Sequence, residues 1–310
     1  MNDPAPALRL AGVSKRFGAV QALADASFQI APGEVFGYLG PNGAGKTTTL
    51  RVILGLVHAS AGAVEILGRP ARAAAARERI GFLPGDLPLY ADMTGREVLD
   101  YFARFRPSRP PVLRDALLRA FDVEPSVLDR RTKFLSHGTR QKLGLILAMQ
   151  HDPDVLLLDE PSSGLDPLVQ QAFRSAVLDF AARGHAVLFS SHVLSEVEQV
   201  CGRVAILREG RIVAVEEVAT LRGRTLRRLR VRFRGEPPDG LAGTPGVVEA
   251  RHEGDEWLLG IRGDVNPVLR RLASADVATL AFPEPELEDV FLSYYRGERG
   301  DRGDAEPAHA

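Results

Sequence analysis

Gly40-Pro41-Asn42-Gly43-Ala44-Gly45-Lys46-Thr47 has the spacing G-x-x-x-x-G-K-[ST], and it lies between an apolar run over 35–39 and a helix-like stretch over 48–56. Glycines at these places let backbone N–H groups wrap a chain of phosphates, and the following helix points the positive end of its dipole at them. Lys46 is placed to reach the β- and γ-phosphates and Thr47 to offer its hydroxyl to Mg²⁺, with Thr48 beside it in the first turn. The chemistry this describes is nucleoside triphosphate binding. Downstream, Val155-Leu156-Leu157-Leu158-Asp159-Glu160 is a short apolar run ending in two carboxylates, the pattern of a buried parallel strand that delivers polar residues at the carboxyl edge of a sheet. The two acids can divide the work, Asp159 in the Mg²⁺ shell and Glu160 polarising the attacking water.

Between these motifs comes Leu135-Ser136-His137-Gly138-Thr139-Arg140-Gln141-Lys142, which reads as a helix N-terminus with Ser136 as cap and Gly138 leaving the backbone open. With that segment in place the chain resembles the ATP-binding-cassette (ABC) ATPases over nearly all of residues 7–220. The resemblance implies that Ser136 and Gly138 cap the γ-phosphate of ATP held by a second subunit. It also implies that Ser163-Gly164-Leu165-Asp166 is a loop through which two cassettes communicate, and that His192, in Ser190-Ser191-His192 after the apolar strand 186–189, contacts the γ-phosphate. Phe17, in Lys15-Arg16-Phe17-Gly18, occupies the place of an aromatic that stacks on adenine; read from its surroundings alone it is a packed residue at the turn of a hairpin.

The chain departs from the family at two positions. In Ile80-Gly81-Phe82-Leu83-Pro84-Gly85-Asp86, Gly85 stands where the family places a glutamine that touches Mg²⁺ and the water. Asp86 one position later, or the backbone through water, would have to serve, and altered Mg²⁺ coordination or slow basal hydrolysis is the consequence to expect. His137 stands where the family often has glycine.

These motifs need a scaffold, and composition bounds it. With 310 residues, 45% apolar and 25% charged, the chain can bury a core and make two domains of unequal size. No apolar stretch reaches the roughly 18 residues of a membrane helix, and Met1-Asn2-Asp3-Pro4 lacks the basic and apolar regions of a signal peptide, so a cytoplasmic location is expected. The single cysteine, Cys201, suits a reducing compartment. A net charge of −1 gives no global attraction to nucleic acid. Basic residues are mostly arginine and alanine is abundant, a coding bias of GC-rich bacterial genomes.

The expected fold class is α/β, a phosphate-loop cassette with a mixed sheet core, an antiparallel β lobe and a helical lobe, followed by a small α/β accessory domain. Strands are expected at 8–13, 24–30 and 64–68, with an alanine-rich helix over 71–79. Thr94-Gly95-Arg96-Glu97 is a capping box opening the helical lobe of about 87–150. The ATPase domain is read as 7–222, the accessory domain as 223–296 and a disordered polar tail as 297–310. A hairpin is expected over 207–213, a strand pair at 246–251 and 256–261, and a helix over 266–273, with Trp257 as a core anchor.

Arg222, Arg224, Arg227, Arg228, Arg230, Arg232 and Arg234 crowd one segment, which reads as a strand with a solvated basic face or as a contact for anionic lipid. The ending Pro285-Glu286-Leu287-Glu288-Asp289-Val290-Phe291-Leu292 is similar to the C-terminal extension of ABC ATPases of the daunorubicin-resistance and sodium-exporter type.

What the resemblance implies is an ATP- and Mg²⁺-dependent hydrolytic subunit on the inner face of a bacterial membrane. It would power export of a drug, lipid, polysaccharide or ion through a separate multi-span permease. One cassette must pair with another chain, a homodimer or half of a heterodimer. The alternative is a soluble regulatory or nucleic-acid- or ribosome-associated ATPase, against which the single cassette and the neutral charge balance count.

Overall fold

The computed structural model describes residues 5–224 and 227–283. The amino-terminal stretch pairs as two long antiparallel strands, β1 (Leu8–Phe17) and β2 (Val20–Ile30). They run beyond the 8–13 and 24–30 that alternation alone gives, because register shifts after Leu10 and Val13 carry the pairing through an irregular middle. Gly12 and Asp25 take φ values of 61° and 55° there, which breaks the two-residue period without ending the ladder.

The chain then enters the centre of the molecule as β3 (Val35–Leu39), turns into α1 (Lys46–Ile53), and returns through β4 (Ala61–Ile66) and the short β5 (Arg69–Pro70). β4 and β5 join the first pair in a four-stranded antiparallel sheet of order β2-β1-β4-β5. The helix expected over 71–79 is one turn only, α2 (Ala74–Arg77). Ala76 is the one buried residue in it, too little apolar surface to hold a longer helix.

After β6 (Ile80–Leu83) come four helices: α3 (Gly95–Arg104), α4 (Arg114–Ala120), α5 (Pro125–Leu128) and α6 (His137–Met149). The capping box at α3 is formed: Thr94 Oγ1 accepts from the Glu97 N–H at 3.2 Å, and the Glu97 carboxylate accepts from the Thr94 N–H at 2.7 Å.

The remainder of this unit is β7 (Val155–Asp159), α7 (Pro167–Ala182), β8 (Ala186–Ser191), α8 (Leu194–Val200), β9 (Arg203–Arg208) and β10 (Arg211–Glu217). The central sheet has the order β10-β9-β3-β8-β7-β6, with β10 antiparallel on its edge and the other five strands parallel. Every residue of β3, β7 and β8 is buried, as parallel strands covered on both faces require. Because the five run the same way, their carboxyl ends share one edge, and the loop that follows β3 meets there the polar residues that end β7 and β8.

The chain divides after Glu217. The second unit contains α9 (Val218–Arg224), β11 (Arg227–Phe233), β12 (Val247–Glu253), β13 (Glu256–Ile261), α10 (Asn266–Leu272) and β14 (Val277–Ala281), its sheet antiparallel in the order β12-β13-β11-β14. Leu229, Val231, Leu259, Ile261, Val268 and Leu272 form its own core, and Trp257 packs against it. The ending 285–292 and the tail from 297 lie outside the described residues.

Candidate functional site

The loop after β3 can be built only with glycine at its sharpest point. Gly45 has φ 111°, and a Cβ there would stand 2.7 Å from the Ala22 carbonyl oxygen. Gly45 offers α1 no side-chain cap and the first turn carries no acid, so the leading N–H groups are left for an external anion. Lys46 is 6% exposed; its Nζ donates to Gly40 O at 2.7 Å and Pro41 O at 3.3 Å, and lies 3.6 Å from Glu160 Oε1. Pro41, Asn42 and Gly43 are exposed on the outside of the loop, while Gly40 and Ala44 are buried beneath it. Backbone N–H groups and one ammonium are thus gathered in a form that suits a polyphosphate.

Asp159 ends β7 and is brought to the first turn of α1: Thr47 Oγ1 donates to Asp159 Oδ2 at 3.0 Å. Its other oxygen accepts from Ser190 Oγ at 2.5 Å, so the carboxylate is oriented from the neighbouring strand. Thr47 and Asp159 thus set hard oxygen donors side by side, a set that suits Mg²⁺. Thr48, on the same turn, is half-buried. Gly85 faces this pair, since a Cβ at 85 would lie 3.5 Å from Asp159 Oδ2.

Glu160 follows the strand with φ 49°, a left-handed conformation unusual for a residue with a side chain. Its N–H donates to Ser190 O at 3.0 Å. The carboxylate lies between Lys46 and His192, whose Nδ1 is 3.0 Å from Glu160 Oε1. His192 is therefore at the same sheet edge as the phosphate loop.

Ser136 caps α6, its Oγ accepting from the Thr139 N–H at 3.1 Å. Gly138 lies against Gly164, within the segment 163–166. Asp166 caps α7 by accepting from the Val169 N–H at 3.0 Å. Phe17 is half-exposed at the end of the β1–β2 hairpin with Lys15 Nζ 4.6 Å from its ring centroid. The same hairpin presents Ala22 to Gly45, so the aromatic is carried on the strand pair that borders the phosphate loop.

Two polar residues at the site carry no motif of their own. Ser190 was visible only as the start of the tripeptide quoted for His192, and Gln141 only as a polar residue in a helix that proves buried. Gln141 Nε2 donates to Pro161 O at 3.0 Å, beside the acids. In the second unit, two arginines of the basic run pair within their own domain, Arg232 with Asp255 at 3.2 Å and Arg234 with Asp276 at 3.6 Å, and Arg227 lies over the Phe282 ring.

A strand, glycine loop and helix, with two acids at the end of a parallel strand one removed in the same sheet and an antiparallel lobe and helical insertion around them, define a phosphate-loop nucleotide-binding cassette. An ABC transporter family model matches residues 23–163. The chain is 33% identical to an uncharacterized ABC transporter ATP-binding protein of Synechocystis sp., spanning 91% of this chain and 80% of that protein. It is 36% identical to the Nod factor export ATP-binding protein I of Paraburkholderia xenovorans, over 93% of this chain and 97% of that one. Among solved structures, an ATP-binding subunit of an ABC transporter superposes with a TM-score of 0.64 at 30% identity, covering 69% of this chain and 91% of that one. A dimeric ATP-binding cassette in a post-hydrolysis state with ADP and Pi shares the fold, with a TM-score of 0.60 at 22% identity over 68% of this chain and 98% of its own. The chain belongs to the ABC transporter family as an ATP-binding protein that hydrolyses ATP.

Proposed function

We propose that this chain powers export through a separate multi-span permease, as the ATPase subunit of a bacterial transporter of the daunorubicin-resistance and sodium-exporter type. The observation that carries the catalytic part is the convergence of Lys46 and His192 on the carboxylate of Glu160, next to the Thr47–Asp159 pair. The export part rests on likeness to a Nod factor export ATP-binding protein along almost its whole length.

In this reading the loop 40–47 and Thr48 bind the phosphates of ATP, and Phe17 stacks on the adenine. Thr47 and Asp159 hold Mg²⁺, which when bound offsets charge on the phosphate oxygens. Glu160 accepts the proton of the attacking water, and His192 hydrogen-bonds the γ-phosphate while orienting Glu160. Two copies close on two ATP molecules, Ser136 and Gly138 of each capping the nucleotide of the other. The ATPase domain, read from the sequence as 7–222, corresponds to the first unit ending at Glu217; its helical lobe of about 87–150 meets the permease, and the unit from Val218, read as 223–296, is an accessory domain. The chain works peripherally at the inner membrane face. Among the described residues no helix is long and apolar enough to cross a membrane, which fits a separate permease.

Glu160→Gln is expected to lower turnover by about 10²–10⁴-fold and to trap an ATP-bound dimer, seen as doubled mass in light scattering. A monomer at saturating ATP would show that the second cassette is another protein. Purification from gently solubilised membranes should recover a stoichiometric multi-span protein by mass spectrometry. Recovery with ribosomes or nucleic acid instead would replace the exporter with a regulatory ATPase.

A further inference from the structure

One face of α6 grips the turn that carries Glu160. His137 and Gln141 are one helical turn apart and so lie on the same side, with Gly138 beside them. Gln141 is 4% exposed and donates from Nε2 to Pro161 O at 3.0 Å. The His137 ring lies over Gly164, where a Cβ would come within 2.7 Å of Nε2 and nearer still to Cδ2. Gly138 approaches so closely that a Cβ on it would be 2.7 Å from Gly164 O.

The gripped segment is itself a pair of tight turns. Ser163 N–H donates to Glu160 O at 3.3 Å, and Leu165 N–H to Ser162 O at 3.1 Å. Glu160 opens this segment at φ 49°, a conformation that persists only where its surroundings hold it. With no side chain at position 85 to reach Asp159, α6 of the helical lobe reaches the turn after the acids through Pro161 and Gly164.

We infer that His137 and Gln141 are positioning residues for hydrolysis: they clamp residues 160–164 to α6, keep the Glu160 carboxylate in register with Lys46 and His192, and carry any displacement of α6 directly to Glu160. His137, at first sight a loss of family pattern, is then half of a matched pair, its bulk accommodated by the missing side chain of Gly164. The inference rests on the role of Glu160 proposed above.

The test is steady-state hydrolysis by the full chain, with affinity for a fluorescent ATP analogue and thermal melting measured in parallel. Gly164→Ala should lower kcat by about tenfold or more, because its Cβ meets the imidazole. His137→Gly removes the ring that lies over Gly164 and should by itself lower kcat severalfold with analogue affinity unchanged in a chain that still melts cooperatively. Gln141→Glu keeps the shape but replaces the donor with an acceptor facing Pro161 O. It should lower kcat by about tenfold with KM and analogue affinity unchanged in a chain that still melts cooperatively.

A kcat for either His137→Gly or Gln141→Glu equal to that of the native chain would overturn the clamp. Glu160→Gln run beside these variants separates the two ideas. If it hydrolyses ATP at the native rate, the role of Glu160 fails; if it is inactive while His137→Gly and Gln141→Glu turn over at the native rate, only the clamp fails.

Discussion

Asp159 and Glu160 are adjacent in sequence, yet their surroundings give them separate tasks. Asp159 is buried, in line with its strand and fixed by hydroxyls on both oxygens, whereas Glu160 turns out of the strand toward a lysine and a histidine. At Gly85 a side chain could be added to this arrangement with little strain. Its Cβ would make ordinary contact with Asp159 Oδ2 at 3.5 Å, and its φ lies outside the left-handed range. Gly85→Gln should therefore fold normally, raise basal turnover severalfold and lower the Mg²⁺ concentration for half-maximal rate. An unchanged Mg²⁺ dependence would mean that Asp86 or the backbone already supplies the oxygen. Lys46→Ala should weaken ATP binding by about 10²-fold, through loss of a charge-assisted contact, in a direct titration.

At the level of elements, the site depends on how firmly β7 and α6 are held. Leu157, in the middle of β7, is fully buried, and Leu157→Ala should cost about 2–5 kcal/mol of stability in chemical denaturation. The end of α6 adds a pH-sensitive joint. His151 donates from Nε2 to Ile80 O at 3.2 Å, anchoring the helix end to β6. Burial, then the nearby charge of Arg106, lowers its pKa to about 4; the hydrogen bond to Ile80 O opposes them, Arg109 adds to the lowering, and Asp152 opposes it. The folded protein thus keeps His151 neutral, while the unfolded chain takes up the proton near the ordinary value of about 6.5. Stability from this group is complete above pH 6.5 and is lost as pH falls toward 4, by about 3 kcal/mol in all. His151→Gln keeps an amide donor without titrating. Its melting temperature should decline less steeply than that of the native chain between pH 6.5 and 4.

The whole molecule keeps its two activities of packing apart. The first unit buries its core between the antiparallel lobe, the central sheet and the helices, and the second has a separate core between one sheet face and α10. Leu259→Ala should therefore loosen the second unit, seen as faster proteolysis within 218–283, while affinity for an ATP analogue stays within about twofold of native. Cys201 is buried, which pushes its thiol pKa up and leaves it a poor nucleophile. Alkylation of the folded chain is expected to be slow until it is denatured.

Sequence alone determined those features whose cause is local. A glycine loop must turn, a serine can cap the helix it precedes, a threonine with a glutamate three residues on makes a capping box, and an apolar run ending in acids places them at the end of a strand. Tertiary structure alone decided what distant segments do to one another. The bulged middle of the β1–β2 pair survives because its register recovers across the irregularity, and α2 is held to one turn, in which Ala76 alone is buried. Ser190 orients Asp159, and Gln141 with His137 hold the turn of Glu160, through contacts between residues far apart in the chain. Nothing in the spacing of those residues records such contacts; they exist because parallel strands align their carboxyl ends at one edge and α6 packs beside it.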